Sequence, residues 1–218
     1  MYFDMDDLDY KRSYKLLTSS VAPRPIAWVT TCNAQGRPNA APYSLFNYFN
    51  GHPPVVCVGM GLRDGEPKDS LANIRANGEF VVNLVSAELA QAMNTTAVPF
   101  APDVNELEKA GLQAIASSKV APPRIARSPV SLECRVRDIL PVDTTAVIVL
   151  AHVVGLHVRD DAVRDRERCH LDTARLDLVG RMESPGAYAL TRERFVMKQL
   201  SVEGWEAAQG GPAARTAT

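Results

Sequence analysis

Two neighbouring stretches late in the chain most limit what it can fold into. Residues 131–140 alternate, with Leu132, Cys134 and Val136 on one side of the backbone and Glu133, Arg135 and Arg137 on the other. Residues 146–158 are almost continuously apolar and rich in β-branched side chains, interrupted only by His152, Gly155 and His157. A period of two marks an extended strand, and an unbroken apolar run marks a strand covered on both faces. The first stretch therefore reads as a strand with one wet face. The second reads as a long strand buried on both faces for most of its length. It is too short to cross a bilayer as a helix, which takes about 20 residues.

The rest of the chain supplies further strands and a few helices. Residues 26–32 form a strand, Asn33 to Gly36 a turn, and residues 37–41 the returning arm of a hairpin. Residues 55–60 and 79–85 are further strands. Helices are expected over 8–17, 69–76, 86–94 and 105–110, the second capped by Asp69 and stopped by Asn77-Gly78. Residues 117–129 are irregular, with Pro122, Pro123 and Pro129, and residues 160–168 are charged and exposed. Strands, then a helical insertion, then strands again suit a mainly β fold. The pattern predicts an antiparallel barrel with helices at its ends, not alternating βαβ units. The chain has 218 residues, 46% of them hydrophobic, enough for one core. A single domain is expected over 1–201. Residues 202–218 are expected to form a disordered C-terminal tail, of which 207–218 are small, Gly-rich and polar.

Charge excludes some functions. Lys and Arg number 24 against 25 Asp and Glu, so nothing draws the chain as a whole to nucleic acid or anionic lipid. Residues 1–9 are acidic and lack the basic start and apolar core of a signal peptide, so a cytoplasmic location is expected. None of the four cysteines stands in a C-x-x-C pair; they read as small hydrophobes in a reducing compartment. His152 and His157, five apart on a strand, should face opposite sides, and Cys169-His170 has no second cluster. No metal site is expected.

The densest site-like segment runs from Arg24 to Asn47. The two arms of its hairpin bring Thr30, Thr31, Asn39 and Ser44 into one neighbourhood. Ala40 and Ala41 let a flat ligand approach the backbone, and Pro42 breaks strand pairing, leaving nearby amides free. A tight strand–turn–strand with capping hydroxyls has the same composition, and composition alone leans towards it. Lys68-Asp69-Ser70 opens a helix, where free amides, a dipole end, an ammonium and a hydroxyl favour an anion; Asp69 would repel one and is assigned to capping. Arg24 either contacts such an anion or caps the barrel end. Trp28 reads as core. Arg159, Arg164, Arg166 and Arg168, interleaved with acids, read as a solvated face.

Taken in order, R-P-I-A-W-V-T-T from Arg24, a turn with Gly36, N-x-A-P-Y-S-x-F-N from Asn39, P-P-V-V from Pro53 and K-D-S-x-x-N-I from Lys68 resemble the flavin reductase-like family of FMN-binding split barrels. The resemblance is close over residues 17–85 and looser to about 200. It implies a six-stranded antiparallel Greek-key split barrel and a homodimer with flavin near the subunit interface. It also implies FMN held by Thr30, Thr31, Asn39, Ala40, Ala41, Pro42, Tyr43, Ser44 and Phe46, with phosphate near Lys68 and Ser70. NADH or NADPH would be the reductant, passing hydride to flavin N5, with a partner oxygenase or another acceptor taking the electrons. Such chemistry belongs to the cofactors, so no catalytic acid or base is expected. The alternative is an FMN-containing electron carrier, or a flavin-binding protein that does not accept NAD(P)H directly. Several relatives carry G-R-x-G-G-x-x-Y late in the chain. Here Glu183 and Ser184 replace two glycines between Gly180 and Tyr188, a change expected to reshape the nicotinamide side of the pocket.

Overall fold

A computed structural model describes residues 1–101 and 104–210. In chain order the elements are α1 (Tyr10–Ser20), β1 (Ala27–Cys32), β2 (Pro38–Tyr43), β3 (Phe46–Gly51), β4 (Pro54–Gly61), α2 (Asp69–Asn77) and β5 (Glu79–Asn83). A 3₁₀ turn (Ala87–Leu89) leads into α3 (Ala90–Thr95), then α4 (Glu106–Lys109), β6 (Ala114–Ile115), β7 (Arg124–Ile125), β8 (Val130–Pro141) and β9 (Ala146–Val158). Next come β10 (Val163–Asp165), β11 (His170–Leu171), α5 (Thr173–Leu176), β12 (Val179–Arg181), β13 (Tyr188–Leu190) and α6 (Val202–Gly210). The fold is mainly β, as expected.

Seven strands form one antiparallel sheet in the order β2-β1-β5-β8-β9-β4-β3. Its two edges, β2 and β3, are consecutive in the chain and joined only by Ser44 and Leu45. Seven strands laid flat would span about 29 Å between edges, whereas so short a joint reaches at most about 11 Å. The sheet therefore has to roll up. It becomes an open barrel, since β2 and β3 meet at the corner without a ladder between them. Gly59 makes that corner possible: its N–H donates to the Leu45 carbonyl at 2.6 Å, and a Cβ there would lie 2.9 Å from Leu45 Cβ.

The roll encloses one core and the helical insertion covers a second. Val29, Val58, Met60, Phe80, Val82 and Val149 pack inside with Leu71 and Ile74 of α2. Trp28 points the other way and packs with Leu89, Met93, Leu107 and Ile125. Alternate residues of β1 thus enter different cores, and all six are buried. Trp28 is core, its Nε1 donating to Thr96 Oγ1 at 2.9 Å.

Several local expectations change. The aromatic stretch from Phe46 to Gly51 is a strand, which brings the sheet to seven. In β9 only Val147, Val149 and Ala151 are buried, and Ile148 is 36% exposed, so this strand has one covered face over its first half. The expected wet face of β8 is wrong at Glu133, which is fully buried. The loop after β6 folds over it and donates the Ser118 and Lys119 amides to its carboxylate, at 2.7 and 2.6 Å. A bulge in β9 at Val154 sets His152 opposite Arg135 and His157 opposite Ser131, positions on one face of β8. The two histidines therefore share a side, which a count along a regular strand could not reveal. Among the described residues no three His, Cys, Asp or Glu side chains gather as metal ligands. Cys32 and Cys134 are buried and Cys57 half-buried, but Cys169 is exposed. At the C-terminus α6 enters the stretch expected to be disordered; residues 211–218 lie outside the described ones. Among the described residues no helix is long and apolar enough to cross a membrane.

Candidate functional site

The β1–β2 hairpin forms in the register that the turn at Gly36 implies, with Thr30 opposite Ala40 and Thr31 opposite Asn39. Alternation then separates the expected site residues. Thr30 is fully buried: its hydroxyl donates to the Pro123 carbonyl at 2.5 Å and accepts from Asn83 Nδ2. Thr31 is also fully buried and accepts from Asn73 Nδ2 at 3.0 Å. Both hydroxyls lock the barrel wall within this chain. Asn39, directly opposite Thr31 and on the same face of the hairpin, donates through Nδ2 to Ser70 Oγ at 2.9 Å. That bond joins β2 to the first turn of α2.

Around this joint lies a cavity of about 160 Å³ lined by Asn39, Ala41, Pro42, Tyr43, Arg63, Lys68, Asp69, Ser70, residues 96–100 and Glu106. Six of the expected binding residues therefore meet in one place: Asn39, Ala41, Pro42, Tyr43, Lys68 and Ser70. Five do not line it. Thr30 and Thr31 are in the wall, Ala40 is buried with its amide on Glu106, Ser44 stands at the β2–β3 corner, and Phe46 lines an apolar groove elsewhere. The N-cap of α2 is Lys68, not Asp69; no side chain caps this helix, and Asp69 sits in its first turn. The first amides of α2 thus have no acceptor within the helix.

Two cations, Arg63 and Lys68, and two carboxylates, Asp69 and Glu106, face the cavity. Glu106 Oε2 accepts from the Ala40 amide at 3.2 Å. Burial pushes the Glu106 carboxyl up; the amides of Glu106 and Ala40 oppose this, and Asp69 adds to the rise. Burial likewise raises the Tyr43 phenol, tempered by the Ser70 hydroxyl and reinforced by Asp69 and Glu106. Such a mixed donor set can hold a polyol phosphate: cations and free amides for the anion, and a carboxylate, an amide and hydroxyls for the sugar alcohol. Ala41, Pro42, Val98 and Phe100 supply apolar cover. A whole ligand of FMN's size would extend beyond this cavity, since pockets for drug-sized ligands run to about 300–1,000 Å³.

Arg63, Thr96 and Glu106 were missed from sequence. They come from three separate loops and helices, and none carries a motif. Arg24 is 6% exposed and spans the carbonyls of Thr18, Val21 (2.8 Å) and Met182 (2.7 Å), so it pins the barrel end. Glu183 and Ser184 sit exposed in the turn between β12 and β13, away from this cavity within one copy. Arg181 stacks over the Tyr188 ring at 4.7 Å at the base of that hairpin.

A family model described as a flavin reductase like domain matches residues 19–173. A protein of Deinococcus radiodurans is 44% identical over 211 residues, covering 94% of this chain and 92% of its own. Among solved structures, the 2-nitrobenzoate 2-nitroreductase of Pseudomonas fluorescens superposes with a TM-score of 0.85 at 31% identity, covering 93% of this chain and 98% of that one. Component B of the nitrilotriacetate monooxygenase of Bacillus cereus also gives 0.85, at 29% identity, covering 90% and 98%.

Proposed function

The chain belongs to the flavin reductase-like family, and on that premise we propose that it is an FMN-binding oxidoreductase that takes hydride from NADH or NADPH. The observation that carries this reading is the Asn39–Ser70 bond, which unites the β2 segment and the start of α2 into one cavity with Lys68 and Arg63. Lys68, Arg63 and the first amides of α2 bind the phosphate. Ser70, Asn39 and Glu106 orient the ribityl chain. Ala41, Pro42 and Tyr43 lie against the ring system and exclude water, and Ser44 at the corner donates to its pyrimidine edge. Bound FMN supplies the hydride-accepting chemistry. The residues contribute positioning and electrostatic stabilisation, and none acts as a general acid or base.

The reading extends to a cytoplasmic homodimer in which residues 1–201 form the flavin-binding domain. Its electron acceptor is a partner oxygenase or a small oxidised organic compound. The Bacillus and Pseudomonas relatives, a monooxygenase component and a nitroreductase, support these two acceptor classes. The test is to mix purified protein and FMN anaerobically with NADH, then with NADPH, and to follow the flavin absorbance. Rapid bleaching is expected with one of them. A protein that binds FMN and stays oxidised is a carrier instead, and one that takes up no FMN overturns the reading altogether.

A further inference from the structure

A second, larger concavity lies away from the flavin cavity. It is a groove of about 600 Å³ between β3, β8 and β9 and the segment leading into β12. Leu84, Val130, Leu132, Val153, Leu156 and Leu178 line it. Its volume suits a small molecule, but such a pocket orients its ligand with a few convergent polar groups. Here the charged lining residue, Arg24, already has its terminal nitrogens on backbone carbonyls. An open apolar groove without such groups is suited to cover by an apolar protein segment.

The same chain carries a second uncovered apolar surface. After β13 it runs out as an arm in which Phe195 is 84%, Met197 81% and Trp205 55% exposed. The root of the arm is fixed at the rim of the groove. Thr191, itself part of the lining, bonds through N–H and Oγ1 to the Leu178 carbonyl, at 3.2 and 2.8 Å. Arg192 then grips Asp177 with two bonds of 2.7 and 2.9 Å. Beyond this anchor, residues 193–200 make no hydrogen bond to the body among the described residues. Past this anchor Phe195, Met197 and Leu200 stay exposed and none of them lines the groove, so within one copy the apolar groove and the apolar arm do not cover each other.

We propose that the arm of one copy fills the groove of a second copy, and that a two-fold axis makes the exchange reciprocal. A two-fold contact repeats itself, so a single pairing covers both grooves and both arms and leaves neither for further copies. The proposal rests on the homodimer of the reading above and adds how its two copies hold each other; its test reads chain-to-chain contact and not flavin, so its failure is distinguishable from a failure to take up FMN.

The test uses full-length chains in a Cys169→Ser background, which removes the exposed thiol. One chain carries Leu156→Cys in the groove. A co-expressed, differently tagged chain carries a cysteine at Phe195, Met197 or Leu200. Oxidation is expected to give a reducible heterodimer for at least one of the three arm positions. When both cysteines are on one chain, a covalent dimer is expected. A compact monomer with an internal disulfide would show the arm in its own groove and overturn the proposal; so would no crosslink at any of the three positions. A second measurement does not depend on thiol geometry. Phe195→Asp with Met197→Asp should weaken self-association at least tenfold by sedimentation while leaving far-UV circular dichroism intact. Unchanged association would equally refute the exchange.

Discussion

Glu133→Gln is the change whose cost can be worked most directly from the structure. The carboxylate is fully buried on β8, with Oε1 accepting from the Ser118 amide (2.7 Å) and from His157 Nε2 (2.5 Å) and Oε2 accepting from the Lys119 amide (2.6 Å). A carboxylate has no proton to give, so His157 Nε2 must be the donor. Burial alone would raise this carboxyl, but the bonds from Ser118, His157 and Lys119 outweigh it and hold it below the usual glutamate range. Glutamine keeps an acceptor for only one side of the cradle and turns its NH₂ against a backbone N–H on the other. A hydrogen bond to a charged group contributes roughly 1.5–3 kcal/mol. Losing one, with the charge removed from the other two, costs about 3 kcal/mol; water entering beside the exposed Ser118 and Lys119 keeps it from being larger. For a chain of this size that lowers Tm by about 6–12 °C. The sign with pH follows from the lowered carboxyl. Its contribution is fully present above the ordinary glutamate value of about 4.3 and is lost as pH falls through the lower folded value. Thermal melts of wild type and variant should therefore differ most at neutral pH and converge in acid. A gap of less than about 2 °C at neutral pH, or one that does not close in acid, would refute the claim that β8 is held by a buried anion.

Other expected outcomes concern the candidate site and the barrel corner. Lys68→Ala should weaken FMN binding by about tenfold in a fluorescence titration, the effect of one charge-assisted phosphate contact, and leave the apo Tm within about 2 °C; an unchanged affinity removes Lys68 from the phosphate role. In the wild type the raised Glu106 carboxyl is neutralised as pH falls from alkaline towards its folded value, so repulsion of the phosphate fades and affinity rises. Glu106→Gln should abolish that pH dependence and bind severalfold tighter at alkaline pH, whereas weaker binding would show that the ribityl contact needs the charge. Gly59→Ala puts a methyl 2.9 Å from Leu45 Cβ and should cost about 1–3 kcal/mol in chemical denaturation; a neutral result would mean that the β2–β3 corner is free to move.

The two patterned stretches that open the sequence argument are strands because backbone alternation and apolar runs are local properties, legible wherever neighbours in sequence share one environment. Asn39, Ala41, Pro42, Tyr43, Lys68 and Ser70 meet at one cavity as the ordered motifs implied, because each lies on a short segment whose hairpin register or helix start is set locally. The sequence by itself therefore determined a mainly β chain of the flavin reductase-like family and the short segments that meet at this cavity. Tertiary structure decided what distance in sequence conceals. Burial of Glu133 required a loop to fold over β8. The shared face of His152 and His157 required a bulge. Glu106, Arg63 and Thr96 joined the site only once separate loops and helices converged on β2. The turn with Glu183 and Ser184 stands apart from that cavity in one copy, since the rolled sheet carries β12 and β13 to the rim of the apolar groove. Local pattern sets what each segment is. Which side chains face one another follows from the roll of the sheet, and that is imposed by a two-residue joint between its far edges.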